Sequence, residues 1–263
     1  VKVLDAQIDL QGFWDRLAKS KVSILFLDYD GTIAPFKVER DEAVPYPWVP
    51  GVLNRILNTG RTRLVIISGR EISSIQNLLR LVKPVEIWGC HGREHLLENG
   101  MMESEALSKA AKKVLSSAHE WIEVHGLSDN MEEKNGCLAL HFRGMKQGRA
   151  DELERQASKA FNAMLPGSDM ELDRFNGGIE LRTAGIDKGQ AVKKVLAEYD
   201  TPPPCAYLGD DLTDEDAFVA IKGKGLAVLV REEIRPTSAD VWIRPPEELR
   251  AFLEKWSIQT EGK

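Results

Sequence analysis

The sequence predicts an α/β fold, a parallel-sheet core interrupted by an α+β insertion. Three observations carry this. First, short and largely apolar runs recur at Ile24–Leu27, Leu64–Ile67, Val85–Trp88 and Cys205–Leu208, most followed by a segment of helical period. Such runs suit strands buried on both faces of a parallel sheet. Second, from about residue 101 the rhythm changes to long amphipathic helices alternating with strands in antiparallel connection. Third, the earlier rhythm returns at Asp187. The expected organisation is a core of residues 1–100 and 185–263, with residues 101–184 as the inserted unit.

Composition narrows the function. A chain of 263 residues with 43% hydrophobic content can bury a core and carry one insertion. Its net charge of -6 gives no nucleic-acid footprint, so an anionic substrate needs local cations or a metal. Cys90, Cys137 and Cys205 are widely spaced and suggest neither a disulfide framework nor a thiolate metal site. No signal-peptide pattern or membrane-length apolar run is present, so no membrane partner is expected and the cytoplasm is the default compartment. The first residue is Val1 rather than Met, which suggests a processed or trimmed start.

The elements follow in order. Leu10–Ala18 reads as a helix with Phe13, Trp14 and Leu17 on one side. The strand Ile24–Leu27 follows. Pro35, Pro45, Pro47 and Pro50 disfavour helix, so residues 35–50 read as a loop near the site, carrying Tyr46 and Trp48. Val52–Asn58 is a helix that Gly60 ends. Leu64–Ile67 is the second buried strand, and Ile72, Ile75, Leu78 and Leu79 give the next helix its core spacing. Val85–Trp88 is a third strand, running into Gly89-Cys90-His91-Gly92. In the insertion, Ser104–Val124 and Arg149–Met164 are amphipathic helices. Leu138–Arg143, Met170–Phe175 and Gly178–Arg182 are strands, the last two a hairpin around Asn176-Gly177. Asp187-Lys188-Gly189 opens a helix that Thr201 and three prolines stop. Cys205–Leu208, Leu226–Val230 and Asp240–Ile243 are strands, and Asp214–Ala220 is a short helix. Pro245 or Pro246 starts the last helix, with Leu249, Phe252, Leu253 and Trp256 facing inward.

Chemistry concentrates where strands end. Asp28-Tyr29-Asp30-Gly31-Thr32 follows the first buried strand, at the edge where open α/β sheets bind ligands. Two carboxylates two residues apart share a side while the strand persists, and crowding them calls for a cation or a shared proton. A capping Asp beside a turn Asp is the alternative. Ser68 stands where a strand gives way to a helix, a place that suits an anion as well as a plain cap. His91, between glycines, reads as a ligand or as a structural hydrogen-bonding residue. Asp210, Asp211 and Asp214 follow another strand, and Lys188 starts a helix at the same edge. Oxygen ligands suit a small hard cation, Mg²⁺ first, and no His or Cys cluster argues for zinc. Carboxylates, cation, Lys and an anion loop are the equipment of phosphoryl transfer. Neither a P-loop nor a Gly-x-Gly-x-x-Gly motif occurs.

Four stretches, Asp28-Tyr29-Asp30-Gly31-Thr32-Ile33, Ser68-Gly69-Arg70, Lys188 and Gly209-Asp210-Asp211-x-Thr213-Asp214-Glu215, resemble in order the motifs of the haloacid-dehalogenase-like (HAD) phosphatases. The double Asp with Thr-Asp-Glu is similar to the trehalose-6-phosphate phosphatase branch. So are Gly89-x-His91-Gly92-x-Glu94, Glu133-Lys134 followed by His141-x-Arg143, and Gly178-x-Glu180-x-Arg182. The resemblance spans roughly residues 22–255. It implies a HAD-like Rossmannoid core and an α+β cap domain that closes over the sugar.

What the resemblance implies for single residues is specific. Asp28 is the expected nucleophile, forming an aspartyl-phosphate, and a Mg²⁺ ligand. Asp30 is the expected acid and base, and a ligand through its backbone carbonyl. Asp210 is expected to bind the metal directly, while Asp211 and Asp214 hold its waters or orient neighbours. Ser68 and Lys188 bind the phosphoryl group, with Thr32 assisting Asp30. Glu133, Lys134 and Glu180 are the expected sugar contacts, supported by His141 and Arg143, although Glu133-Lys134 also reads as a surface salt bridge. Arg70 and His91 join the expected substrate-binding set, Arg70 with an ion pair as its alternative. The implied reaction is hydrolysis of trehalose 6-phosphate. A phosphatase for sucrose-, glucosylglycerol- or mannosylglycerate-phosphate stays open, as does a non-catalytic regulatory domain. A monomer that associates with the matching synthase is implied. No glycosyltransferase-like region precedes the phosphatase part, so the chain reads as a standalone enzyme or an excised piece of a longer synthase–phosphatase.

Overall fold

The structure, a computed structural model, describes residues 1–37, 42–104, 106–175 and 177–261. Asn176 of the expected hairpin, Glu105 of the expected helix and residues 38–41 of the expected loop lie outside the described residues. In chain order the elements are β1 (Lys2–Val3), α1 (Leu10–Lys19), β2 (Ser23–Leu27), α2 (Val49–Asn58), β3 (Thr62–Ile67), α3 (Ile72–Leu79), β4 (Glu86–Gly89), β5 (Glu94–Leu96) and β6 (Met102–Ser104). There follow α4 (Lys109–Val124), β7 (Met131–Lys134), β8 (Cys137–His141), α5 (Gln147–Met164), β9 (Met170–Phe175) and β10 (Gly178–Thr183). The chain ends with α6 (Lys188–Leu196), β11 (Cys205–Gly209), α7 (Glu215–Ile221), β12 (Leu226–Val230), β13 (Val241–Ile243) and α8 (Glu247–Thr260). Two compact units result, one of Val1–Glu103 with the chain from Asp187 onward, the other of Ser104–Ile186.

The first unit holds a sheet ordered β1-β13-β12-β11-β2-β3-β4-β5-β6. Its centre, β13 to β4, is parallel, and β1 and β5 pair antiparallel with β13 and β4. Alternate residues of β2 serve opposite faces: Leu25 and Leu27 join one apolar cluster with α1, α2, α3 and α8, while Ile24 and Phe26 join another with α6 and α7. That double burial is why these strands read as unbroken apolar runs. Helix starts follow local chemistry: Asp9 accepts from Gly12 N, and Asp187 from Gln190 N.

Helix α2 begins at Val49, three residues before the expected start, because Pro50 sits in its first turn, where a missing N–H is harmless. The expected helix from Ser104 begins instead at Lys109. Ser108 caps it by accepting from Ala111 N, and Ser104 ends β6. The short strands β1, β5, β6 and β7 carried no apolar signature and were not expected.

The second unit is a four-stranded antiparallel sheet, β7-β8-β10-β9, with α4 and α5 on one face. Leu138, Leu140, Ile179 and Leu181 point to those helices, meeting Ala118, Ile122, Leu153 and Phe161. Among the described residues no helix is long and apolar enough to cross a membrane, and all three cysteines are free and buried.

Candidate active site

Neighbouring parallel strands deliver the first unit's carboxylates. Leu27 of β2 lies opposite Leu208 of β11, and Asp28 N still donates to Leu208 O (2.9 Å). Crossovers run from β2 toward β4 on one side and from β11 toward β13 on the other. The β2–β11 boundary is therefore the switch point of the sheet, the place where open α/β sheets bind ligands. Asp28 and Asp210 flank it. Gly31 turns the chain back with φ +78°, and a Cβ there would stand 2.3 Å from Asp210 Oδ2.

Lys188, at the start of α6, donates to Asp28 Oδ1 and to Asp214 Oδ1, both at 2.7 Å. Thr32 Oγ1 donates to the other oxygen of Asp28 (3.1 Å), so Thr32 serves Asp28 rather than the expected Asp30. Asp214 is fully engaged: Oδ1 also accepts from Tyr207 Oη (2.6 Å), and Oδ2 accepts from the N–H groups of Asp210 (2.9 Å) and Asp211 (2.8 Å). Tyr207, absent from the expected site, lies on β11 and is wholly buried. Burial pushes the Asp28 carboxyl up to about 7 against the pull of Lys188, with Asp214 adding to the rise. Burial disfavours the Lys188 ammonium, but Asp214 and Asp28 more than offset this and raise its pKa.

Asp210 is the unsatisfied member. It is 1% exposed, and neither carboxylate oxygen accepts a hydrogen bond among the described residues. Burial, then Asp28, Asp214 and Asp211, push its pKa well above the usual carboxylate value. Oxygens of Asp28, Asp210 and Asp214 lie within 4.8 Å of one another. A buried carboxylate that accepts no hydrogen bond, and whose ion pair with Arg231 Nη1 is long at 3.9 Å, fits a divalent cation in this all-oxygen set.

Two residues expected at the metal lie outside this cluster with their side chains. Asp211 Oδ1 caps the next turn by accepting from Leu212 N (2.7 Å). Asp30 is held by Arg70, whose Nε and Nη2 donate to its two oxygens at 2.7 and 2.8 Å. Arg70 is 1% exposed, lies over the Tyr29 ring and donates to Ser74 Oγ (3.2 Å), so of its two expected roles the ion pair is the one formed.

Ser68 follows β3, on the other side of β2. Its Oγ accepts from Arg70 N (3.2 Å). His91 packs behind this loop: its N donates to Ser68 O (2.9 Å), and a Cβ on Gly69 would stand 2.6 Å from His91 Nε2. Cys90 and His91 both take positive φ, 47° and 60°, a strained turn for residues with side chains. His91 thus shapes the loop from behind. Glu94 Oε2 accepts from Ile72 N (3.1 Å) at the start of α3.

In the second unit one sheet face is polar. Lys134 Nζ donates to Glu180 Oε1 (3.0 Å) and lies 3.7 Å from Glu132 Oε2, and Glu132 meets His141 Nε2 at 3.0 Å. Glu180 is 3% exposed. Arg143 lies over the Phe175 ring, which also meets His141 in a T-shaped contact. Glu133 is a correction. It is paired with Leu138 in the sheet, on the helix-facing side, and its Oε2 meets His119 Nδ1 of α4 at 3.0 Å. Residues two apart share a strand face, so Glu132 belongs with Lys134 and Glu133 does not. The spacing Glu132-x-Lys134, read as a strand, was the available signal.

Known proteins are similar to this chain in sequence and fold. The family model described as Trehalose-phosphatase matches residues 26–241. Trehalose-phosphate phosphatase B of Arabidopsis thaliana is 28% identical over 94% of this chain and 70% of its own length. Trehalose-phosphate phosphatase of Mycobacterium avium is 29% identical over 98% of this chain and 67% of its own. The fold is that of the C-terminal domain of C. albicans trehalose-6-phosphate phosphatase, with a TM-score of 0.82 and 21% identity over the whole of both chains. The C-terminal domain of Candida albicans trehalose synthase regulatory protein also shares it, with a TM-score of 0.73 and 13% identity over 94% of this chain and 97% of that one. Because the fold serves both a phosphatase and a regulatory protein, activity has to be argued from side chains.

Proposed function

The chain belongs to the trehalose-phosphatase family, within the haloacid-dehalogenase-like hydrolases, and we propose that it hydrolyses trehalose 6-phosphate to trehalose and phosphate through an aspartyl-phosphate on Asp28. The observation that carries the reading is the buried Asp28–Lys188–Asp214 cluster beside Asp210, whose carboxylate accepts no hydrogen bond, at the switch point of the sheet. Asp28, Asp210 and the backbone carbonyl of Asp30 would hold the divalent cation, which we assign as Mg²⁺. When bound it offsets phosphate charge and lets Asp28 ionise.

The chain's own groups divide the remaining work. Asp28, aimed by Thr32 and Lys188, attacks phosphorus. Lys188 carries positive charge to the phosphoryl oxygens, kept in place by Asp214 and, through it, by Tyr207. Ser68 and the N–H groups of its loop face the same anion. Asp30 gives a proton to the departing sugar oxygen and later takes one from the attacking water. Arg70 fixes its orientation with one bond to each oxygen, which leaves the second lone pair of each oxygen for the proton. Glu132, Lys134 and Glu180 are proposed to hold sugar hydroxyls, with His141 and Arg143 in support. Carboxylates accept from several hydroxyls at once, and Lys134 keeps the acidic pair from repelling itself.

A regulatory reading requires loss of an essential group, and Asp28, Asp30, Lys188 and Asp210 are all present. The test is phosphate release, with Mg²⁺, from trehalose 6-phosphate and from sucrose-, glucosylglycerol- and mannosylglycerate-phosphates, with Asp28→Asn alongside. Preference for trehalose 6-phosphate, abolished in the variant, is the expected result. Preference for another glycosyl phosphate overturns the substrate, and no release from any of them overturns the catalytic reading.

A further inference from the structure

We propose that Arg235 is a positioning residue for the cation site: it holds the Asp210 loop from behind, in the geometry the divalent ion requires. The inference rests on reading Asp28 and Asp210 as the ion's ligands.

The Asp210 carboxylate has no hydrogen bond of its own to fix it among the described residues, and three other carboxylates, Asp28, Asp211 and Asp214, surround it. Its position is therefore set by its backbone. Asp214 takes the N–H groups of Asp210 and Asp211. Arg235 takes their carbonyls: Nη2 donates to Asp211 O (2.6 Å) and Asp210 O (3.3 Å), and Nε donates to Asp210 O (3.4 Å). The third nitrogen, Nη1, donates to Glu215 Oε1 and to Pro236 O (2.9 Å). Glu215 also accepts from Thr237 Oγ1 (2.8 Å) and Ser238 N (2.7 Å). The connection between β12 and β13 is thereby latched to the turn between β11 and α7. Arg231 reinforces the grip, with Nη1 at 3.4 Å from Asp210 O and 3.9 Å from Asp210 Oδ2.

The residue type matters. A planar guanidinium can bridge two carbonyls and a carboxylate together, whereas an ammonium acts as one point charge. The Arg235 side chain is 14% exposed and bonds the backbone of Asp210 and Asp211 next to the cluster of Asp28, Asp210, Asp211 and Asp214, so its charge also opposes the mutual repulsion of those carboxylates before the ion arrives. Groups that orient metal ligands from behind change metal affinity by roughly 10–100-fold when removed.

The experiment is calorimetric titration of Mg²⁺ into substrate-free protein, with KM and kcat measured separately at saturating Mg²⁺. Arg235→Ala should weaken Mg²⁺ binding at least about tenfold and Arg235→Lys by less, with KM for the sugar phosphate unchanged once Mg²⁺ saturates. Arg250→Ala, which breaks only an exposed pair on α8, should bind as wild type does. If Arg235→Ala does not fold, Arg235→Lys and Thr237→Ala, which loosens Glu215, carry the test. Mg²⁺ affinity within about twofold of wild type in the folded variants overturns the proposal. Wild-type protein that binds no Mg²⁺ at all overturns the cation site beneath it instead.

Discussion

Replacing Lys188 by Met tests the centre of the site. The lysine is 3% exposed and is the cation bonded to both Asp28 and Asp214. Removing one partner of a buried ion pair costs about 3–5 kcal/mol, since the other charge is left without compensation. Asp214 keeps Tyr207 and two backbone N–H bonds, and Asp28 keeps Thr32, so the lower end applies, about 3 kcal/mol. For a chain of this size that is a fall in Tm of roughly 6–12 °C. Lys188 is also what pulls the Asp28 carboxyl down toward about 7 against burial. Without it the pKa rises further, and at neutral pH metal-free Asp28 is mostly protonated. Mg²⁺ should then raise Tm more in the variant than in wild type, because the ion supplies the missing positive charge. Loss of a charge aimed at the phosphoryl oxygens should lower kcat by at least about 100-fold. Scanning calorimetry with and without Mg²⁺, beside phosphate-release kinetics, reads both effects. A Lys188→Met protein with Tm within about 2 °C of wild type and kcat within about tenfold would refute the reasoning.

Two further predictions use other parts of the molecule. Burial alone would raise the Glu86 pKa, but bonds from His95, Arg63 and Trp88 override it and hold it below the usual value. A depressed carboxylate stabilises the fold above its unfolded pKa, and that contribution fades as pH falls through the folded one. Glu86→Gln should therefore lose about 3 kcal/mol at neutral pH, and the gap to wild type should narrow below about pH 4 in urea unfolding. A gap independent of pH counts against the ion-pair account. On the sheet of the second unit, Glu132→Gln should raise KM for trehalose 6-phosphate about tenfold, the scale of one charged hydrogen bond, while Glu133→Gln leaves it within about twofold. Equal effects would show that the strand face does not decide the contact.

Much of the core and its site could be read from local pattern. Asp28, Ser68 and Asp210 follow apolar runs long enough to mark buried strands, and Lys188 follows a capping Asp187. Strand ends and helix caps depend on neighbours in sequence, and a parallel sheet brings its strand ends to one edge whatever its order. That was enough to gather Asp28, Lys188, Asp210 and Asp214.

Contacts between distant segments needed the tertiary structure. Arg70 meets Asp30 across 40 residues, and Arg235 meets Asp211 across 24. The Ser68-Gly69-Arg70 motif marked Arg70 without naming its partner, and nothing local distinguishes Arg235 from a surface arginine. Tyr207 looked like an ordinary strand residue until β11 placed its hydroxyl against Asp214. Glu132 and Glu133 are chemically alike, and only the pleat of an edge strand, with no apolar alternation to betray it, sends one to the polar face and the other toward α4. The sequence by itself determined which residue types stand at the strand ends, because periodicity and capping are short-range. Which carboxylate is bonded, and which is left for a cation, was decided by strand order and register, which arise only when remote segments pack.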